Sequence, residues 1–230
     1  MQFRKALLIS ALSVAAAQDS VVDITYGSAI KLKVDGSKNF LRSLDVQWNG
    51  RRRNGNIVTT VGDETNPEIY WVVSPSSNSV GFSGDIVKCG SVIRLKHAVT
   101  GKELAADASQ KSNLAGMSEV TSVGDGGDEF SIDCVASGGG IWGSSGGDEK
   151  WQKGNKIQLK HVSSGGYLRS STSWVYTQHN CARCPMIGDQ EVVVSGTSGA
   201  GSQWVVEGGV IVRNPVVEEV EGDSEGKDEL

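Results

Sequence analysis

Apolar and polar residues alternate through three separate stretches of the chain, and the three stretches align without a gap. Gly27 to Ser43 reads GSAIKLKVDGSKNFLRS, Gly90 to Ala106 reads GSVIRLKHAVTGKELAA, and Gly154 to Ser170 reads GNKIQLKHVSSGGYLRS. Their starts lie 63 and 64 residues apart. Each places Gly, Ile, Leu, Lys and Leu at the same offsets: Gly27/Ile30/Leu32/Lys33/Leu41, Gly90/Ile93/Leu95/Lys96/Leu104 and Gly154/Ile157/Leu159/Lys160/Leu168. Self-similarity at a fixed period marks a repeat architecture.

Within each copy the alternating Ile and Leu predict a half-buried strand, followed by a turn and a second short strand carrying Leu41, Leu104 or Leu168. A third strand candidate recurs at 56–61, 118–123 and 190–194, and a fourth at 70–73, 129–132 and 203–206. Three four-stranded units cannot each bury a face alone. Twelve strands can close around a pseudo-threefold axis with hairpins capping a barrel and no edge left open. The expected fold is therefore all-β, a β-trefoil of three repeats of about 60 residues, at 21–75, 84–136 and 148–208 within a body spanning 21–214. A bladed propeller would use shorter repeats and more of them.

Composition agrees with this class, with 30 Gly, 4 Pro and no helical apolar runs beyond the N-terminus. Residues 1–17 read as a secretory signal peptide: Arg4-Lys5, an apolar stretch from Ala6, and the small residues Ala15-Ala16-Ala17. That stretch falls short of the roughly 20 residues needed to span a bilayer. The last four residues, Lys227-Asp228-Glu229-Leu230, form a retrieval address. Together the two ends predict residence in the endoplasmic reticulum lumen, with the retrieval receptor as a partner and no membrane insertion. Seven of the 27 acidic residues lie after Pro215, so 215–230 is expected to be a flexible acidic tail. The body between leader and tail carries 19 basic and 20 acidic residues. Such a balance does not attract nucleic acid.

The motif G-x-x-I-x-L-K-H-x-x-(S/T)-G-x-x-L resembles the MIR repeat of protein O-mannosyltransferases, inositol trisphosphate receptors and ryanodine receptors. Three such copies, a signal peptide, Lys88-Cys89-Gly90 opening the second copy and a KDEL ending resemble the stromal cell-derived factor 2 family. The resemblance implies a non-enzymatic lumenal protein of quality control and the unfolded-protein response, associated with Hsp70-class chaperones, their J-domain partners and misfolded clients. A lectin-like module recognising O-mannosyl or other glycans is the alternative it leaves open. The chain departs from the pattern at Val34, where the other copies have His97 and His161, and in the placement of Cys181 and Cys184.

Four cysteines in an oxidising compartment read as disulfides. Cys89 precedes the first strand of the second repeat and Cys134 follows its last, so a Cys89–Cys134 bridge is expected, stabilising by about 3–4 kcal/mol on loop-closure grounds. Cys181-Ala182-Arg183-Cys184 is a C-x-x-C without a following helix, which favours a second disulfide over a redox centre. With His179 it supplies three donors, one short of a structural zinc site. No phosphate loop, nucleophile elbow or pair of carboxylates on repeating offsets suggests catalysis, and no cofactor or metal is expected. Candidate partner-binding residues are His97 and His161, which symmetry alone also explains, and the basic run Arg51, Arg52 and Arg53. Trp48, Trp142, Trp151 and Trp174 are expected in loops, where Trp48, Trp142 and Trp174 are candidates for stacking on a ligand. Trp71 and Trp204 are expected in the core.

Overall fold

The structure is a computed structural model that describes residues 21–48, 55–124, 126–135, 141–142 and 149–214. The expected signal peptide, Arg51 to Arg53, and the tail with its retrieval tetrapeptide lie outside the described residues.

The first repeat forms β1 (Ala29–Val34), β2 (Phe40–Gln47), β3 (Gly55–Val61) and β4 (Tyr70–Pro75). The second forms β5 (Val92–His97), β6 (Glu103–Lys111), β7 (Ser118–Val123) and β8 (Phe130–Val135). A two-residue strand, β9 (Ile141–Trp142), was not expected from the pattern and pairs with β8. The third repeat forms β10 (Lys156–His161), β11 (Tyr167–Val175), β12 (Gln190–Ser195) and β13 (Trp204–Val210). Strands β1, β4, β5, β8, β10 and β13 pair antiparallel in a closed ring. The hairpins β2–β3, β6–β7 and β11–β12 cap one end, where β3, β7 and β12 also pair with one another. This is a β-trefoil.

The repeated offsets now have physical causes. Ile30, Leu32 and Leu41, with their counterparts in the other repeats, are fully buried in one core. The opening glycines Gly27, Gly90 and Gly154 adopt φ of 82°, 82° and 83°, a left-handed conformation that disfavours any residue with a Cβ. Each donates its backbone N–H to a barrel strand, at Val73, Ile132 and Val206 respectively. Three residues before each glycine stand Ile24, Val87 and Trp151, all fully buried. Their backbones form a cycle that closes the end of the barrel opposite the hairpins. Ile24 N donates to Trp151 O (2.8 Å), Trp151 N to Val87 O (2.9 Å), and Val87 N to Ile24 O (2.9 Å). Trp151 is thus a core plug: it lies outside the strands, as expected, but is fully buried.

Trp71 and Trp204 are buried at matching positions, and each donates its indole N–H to a hairpin carbonyl, Leu41 O (3.0 Å) or Leu168 O (2.9 Å). Phe130 occupies the equivalent site in the second repeat without that donor. The Trp204→Phe variant should therefore fold, with an unfolding free energy reduced by about 2 kcal/mol for the orphaned carbonyl and lost volume. Denaturant melts of the two proteins check this.

Candidate functional site

The histidine motif is a turn device. His97 Nδ1 lies 2.9 Å from Thr100 Oγ1, and His161 Nδ1 lies 2.7 Å from Ser164 Oγ, so each ring braces the hydroxyl three residues on. His97 Nε2 lies 2.9 Å from Glu68 O, and His161 Nε2 lies 3.1 Å from Asp128 Oδ2. Both rings are buried, packed on Trp71 and Phe130. In the first repeat Val34 has no ring nitrogen, and the Ser37 hydroxyl donates instead to Val34 O (2.9 Å).

The other candidates do not converge. Trp48 follows β2 at the capped end, with its ring 5.9 Å from Tyr176. Trp174 lies on β11 rather than in a loop, and the guanidinium of Arg169 lies 5.4 Å from its ring. Trp142 lies on β9, near the opposite end of the barrel. Trp48 and Trp174 pack against different partners, Tyr176 and Arg169.

Sequence reasoning missed a buried polar network beneath the cap. Glu119 and Glu191 occupy matching offsets on β7 and β12, and both are nearly inaccessible. Glu191 accepts backbone N–H groups from Asn113, Leu114 and Ala115 at 2.7–3.1 Å and the Tyr176 hydroxyl at 2.8 Å. Burial first, and then the Glu191 carboxylate, raises the Tyr176 pKa above its ordinary value. Arg42 donates to Asp189 Oδ2 (2.5 Å), which also accepts from the Thr59 hydroxyl (2.7 Å), tying the first repeat to the third. These groups lock loops to the frame. Among the described residues, no three His, Cys, Asp or Glu side chains gather as a metal set.

The surface with room for a ligand is at the other end of the barrel. A cleft of about 630 Å³ is bounded by the segments before β1, between β4 and β5, and after β13, with Val21, Asp23, Ile86, Lys88 and Arg213 in its walls. The walls are held by specific contacts. Asp23 accepts from Gln152 (2.9 Å) and Lys150 (3.0 Å). Slight burial opposes ionisation of Asp23, but those two hydrogen bonds outweigh it and keep its carboxyl below the ordinary carboxylate pKa. Thr25 Oγ1 donates to Val212 O (2.5 Å), and Val212 N donates to Ser28 Oγ (3.0 Å), pinning the segment after β13. Val21 and Ile86 are exposed in the walls, at 68% and 39%. On the β4–β5 connection, Val80 and Phe82 are exposed at 87% and 70%. Val21 and Ile86 thus put apolar surface into the cleft walls, and Val80 and Phe82 are exposed on the same connection without lining the cleft. The only sequence signal for it was negative, since these residues lie outside the repeated pattern.

No family model matches the chain. It is 34% identical over 160 residues to a stromal cell-derived factor 2-like protein of Arabidopsis thaliana, covering 69% of each chain. The chain belongs to the stromal cell-derived factor 2 family. The crystal structure of the SDF2-like protein from Arabidopsis thaliana superposes with a TM-score of 0.70 at 30% identity, over 84% of this chain and 98% of that one. The chain also shares its fold with part of the S. cerevisiae protein O-mannosyltransferase Pmt1-Pmt2 complex bound to the sugar donor. That match has a TM-score of 0.66 at 20% identity and covers 91% of this chain and 28% of that one.

Burial lowers the His97 pKa, with the Glu68 contacts only partly opposing it. The fold therefore favours the neutral ring, while the unfolded chain binds a proton as pH falls through about 6.5. The contribution of His97 to stability is complete above that value and declines below it. The stability advantage of wild type over His97→Val should accordingly shrink between pH 7 and pH 5, as measured by urea titrations at each pH.

Proposed function

We propose that the protein is a non-enzymatic binding protein of the endoplasmic reticulum lumen that serves protein quality control and the unfolded-protein response. Its partners in this reading are a J-domain/Hsp70 chaperone system and misfolded clients. The observation that carries the reading is stromal cell-derived factor 2 membership, supported by likeness over 84% of this chain to the SDF2-like structure. Two disulfides suit an oxidising compartment. Residues 1–17 would act as the leader and Lys227 to Leu230 as the retrieval signal.

The cleft opposite the hairpins suits the client role. An unfolded chain presents apolar side chains next to polar backbone and mixed charge. Val21 and Ile86 supply apolar contact in the cleft walls and Val80 and Phe82 add exposed apolar surface on the β4–β5 connection, while Asp23, Lys88 and Arg213 offer hydrogen bonds of both polarities. A glycan-binding reading has an observation of its own, a second hollow of about 440 Å³ bounded by Lys33, Lys38, Asp63, Glu64 and Glu207. Charged donors and acceptors around a shallow hollow match sugar hydroxyls, and the half-buried Tyr70 ring, with Lys31 Nζ 5.6 Å from its centroid, lies on the same repeat.

Affinity capture of the full chain from endoplasmic reticulum lysate, before and after enzymatic removal of glycans, separates the two. Chaperones and clients retained after deglycosylation support the quality-control reading. Collapse of capture with the glycans supports the lectin reading. Against a purified unfolded peptide, the double variant Phe82→Ser/Ile86→Ser should bind about tenfold more weakly, the loss expected for two apolar contacts. Its melting curve should match that of wild type, because both side chains are exposed.

A further inference from the structure

The two disulfides sit in different settings. Cys89–Cys134 joins residues 45 apart and lies against the barrel core, with Cys134 only 6% exposed on β8. Cys181–Cys184 joins residues three apart, in a segment between β11 and β12 that is longer than its counterparts in the other repeats. The neck of that segment closes without help from the sulfurs. Tyr176 N donates to Asp189 O (2.9 Å) and Gly188 N to Tyr176 O (2.8 Å), and Asp189 is tied to Arg42.

Beyond the neck the bridge spans one tight turn, Cys181 to Cys184, closed by Cys184 N donating to Cys181 O (3.3 Å). Arg183 occupies the third position of this turn with φ of 62°, the one non-glycine residue with positive φ among the described residues. A turn of this kind favours Gly or Asn there, so the bridge restrains a side chain in a conformation that costs energy. Both cysteines are half-buried against the small cluster of Leu44, Ile57, Tyr176 and Met186, and Ala182, Arg183 and Pro185 beside them are exposed. From Tyr176 to Gly188 the segment has no acidic residue, while Arg183 lies between the two cysteines in the chain and His179 two residues before the first. A cation next to a released thiolate stabilises it and makes it a better leaving group.

We propose that Cys181–Cys184 is a thiol-exchange site and that Cys89–Cys134 is not. An incoming thiolate attacks one sulfur of the pair, its new S–S bond forms as the Cys181–Cys184 bond breaks, and the electron pair leaves on the other cysteine as thiolate. A second thiolate then displaces the first as a disulfide, leaving two reduced cysteines here and one oxidised pair of donor thiols. The donor is either a small monothiol or the cysteine of a polypeptide. The exchange rests on the segment itself and stands whether or not the proposed client role does.

The test incubates the native full chain with reduced glutathione in one arm and with an unfolded peptide carrying one cysteine in the other. Time points are quenched by alkylation, and each cysteine is read by mass spectrometry. Cys181 and Cys184 should react at least tenfold faster than Cys89 and Cys134 in at least one arm, passing through a mixed disulfide whose mass identifies the donor. Faster reaction with the peptide assigns a protein thiol as the donor, and faster reaction with glutathione assigns a small thiol. Arg183→Gly, which relieves the turn and removes the cation, should slow the reaction several-fold. Equal rates for both pairs, or no reaction of Cys181–Cys184 until the fold is denatured, would overturn the proposal.

Discussion

Closure of the six-strand barrel is the constraint on which the rest of the molecule depends. An open sheet edge leaves a row of unpaired backbone groups, and a single four-stranded repeat here has two such edges. Pairing of β13 with β1 and of β8 with β10 removes them, and it works only when all three repeats are present. The same closure recurs at both ends of the barrel, as the three-way pairing of β3, β7 and β12 and as the backbone cycle of Ile24, Val87 and Trp151. Each ring demands equivalent geometry from each repeat. The demand falls on a handful of positions: the glycine at positive φ, the Ile and Leu of the first strand, and the large aromatic of the fourth.

Where the repeats differ, they are free of that demand, and there the molecule has surface to use. The β4–β5 connection carries Val80, Phe82 and Ile86 into solvent next to the cleft. The segment between β11 and β12 carries the second disulfide, and its neck is held by Arg42, Asp189 and Tyr176 so that its tip needs no help from the symmetric frame. The frame thus forms a rigid mount, and under the proposed binding role recognition would fall to the irregular segments set on it.

This division explains what could be read in the chain beforehand. Period-two alternation at fixed offsets is a strong signal because each Ile and Leu is buried in the same core, and all twelve barrel and hairpin strands were legible from it. The burial of Trp151 was not legible, because a three-residue backbone cycle that joins segments far apart in sequence places it in the core. Nothing in the sequence marks Glu191 as buried, and only the fold brings the N–H groups of residues 113–115 to it. His97 and His161 repeat because a ring nitrogen and a hydroxyl three residues on secure the same turn twice, a structural cause that sequence symmetry cannot distinguish from a shared ligand site. The cleft was invisible since its walls join segments far apart in sequence, residues 21–25, 84–88 and 213–214.

The central claim is that binding falls on those irregular segments while the frame stays unchanged. Hydrogen–deuterium exchange of the full chain, free and saturated with an unfolded client peptide, tests it most directly. The account predicts slowed exchange in residues 76–88 and 211–214, with the barrel strands and hairpins as in the free protein. Protection confined to the capped end, around β2, β3 and β11, would contradict it.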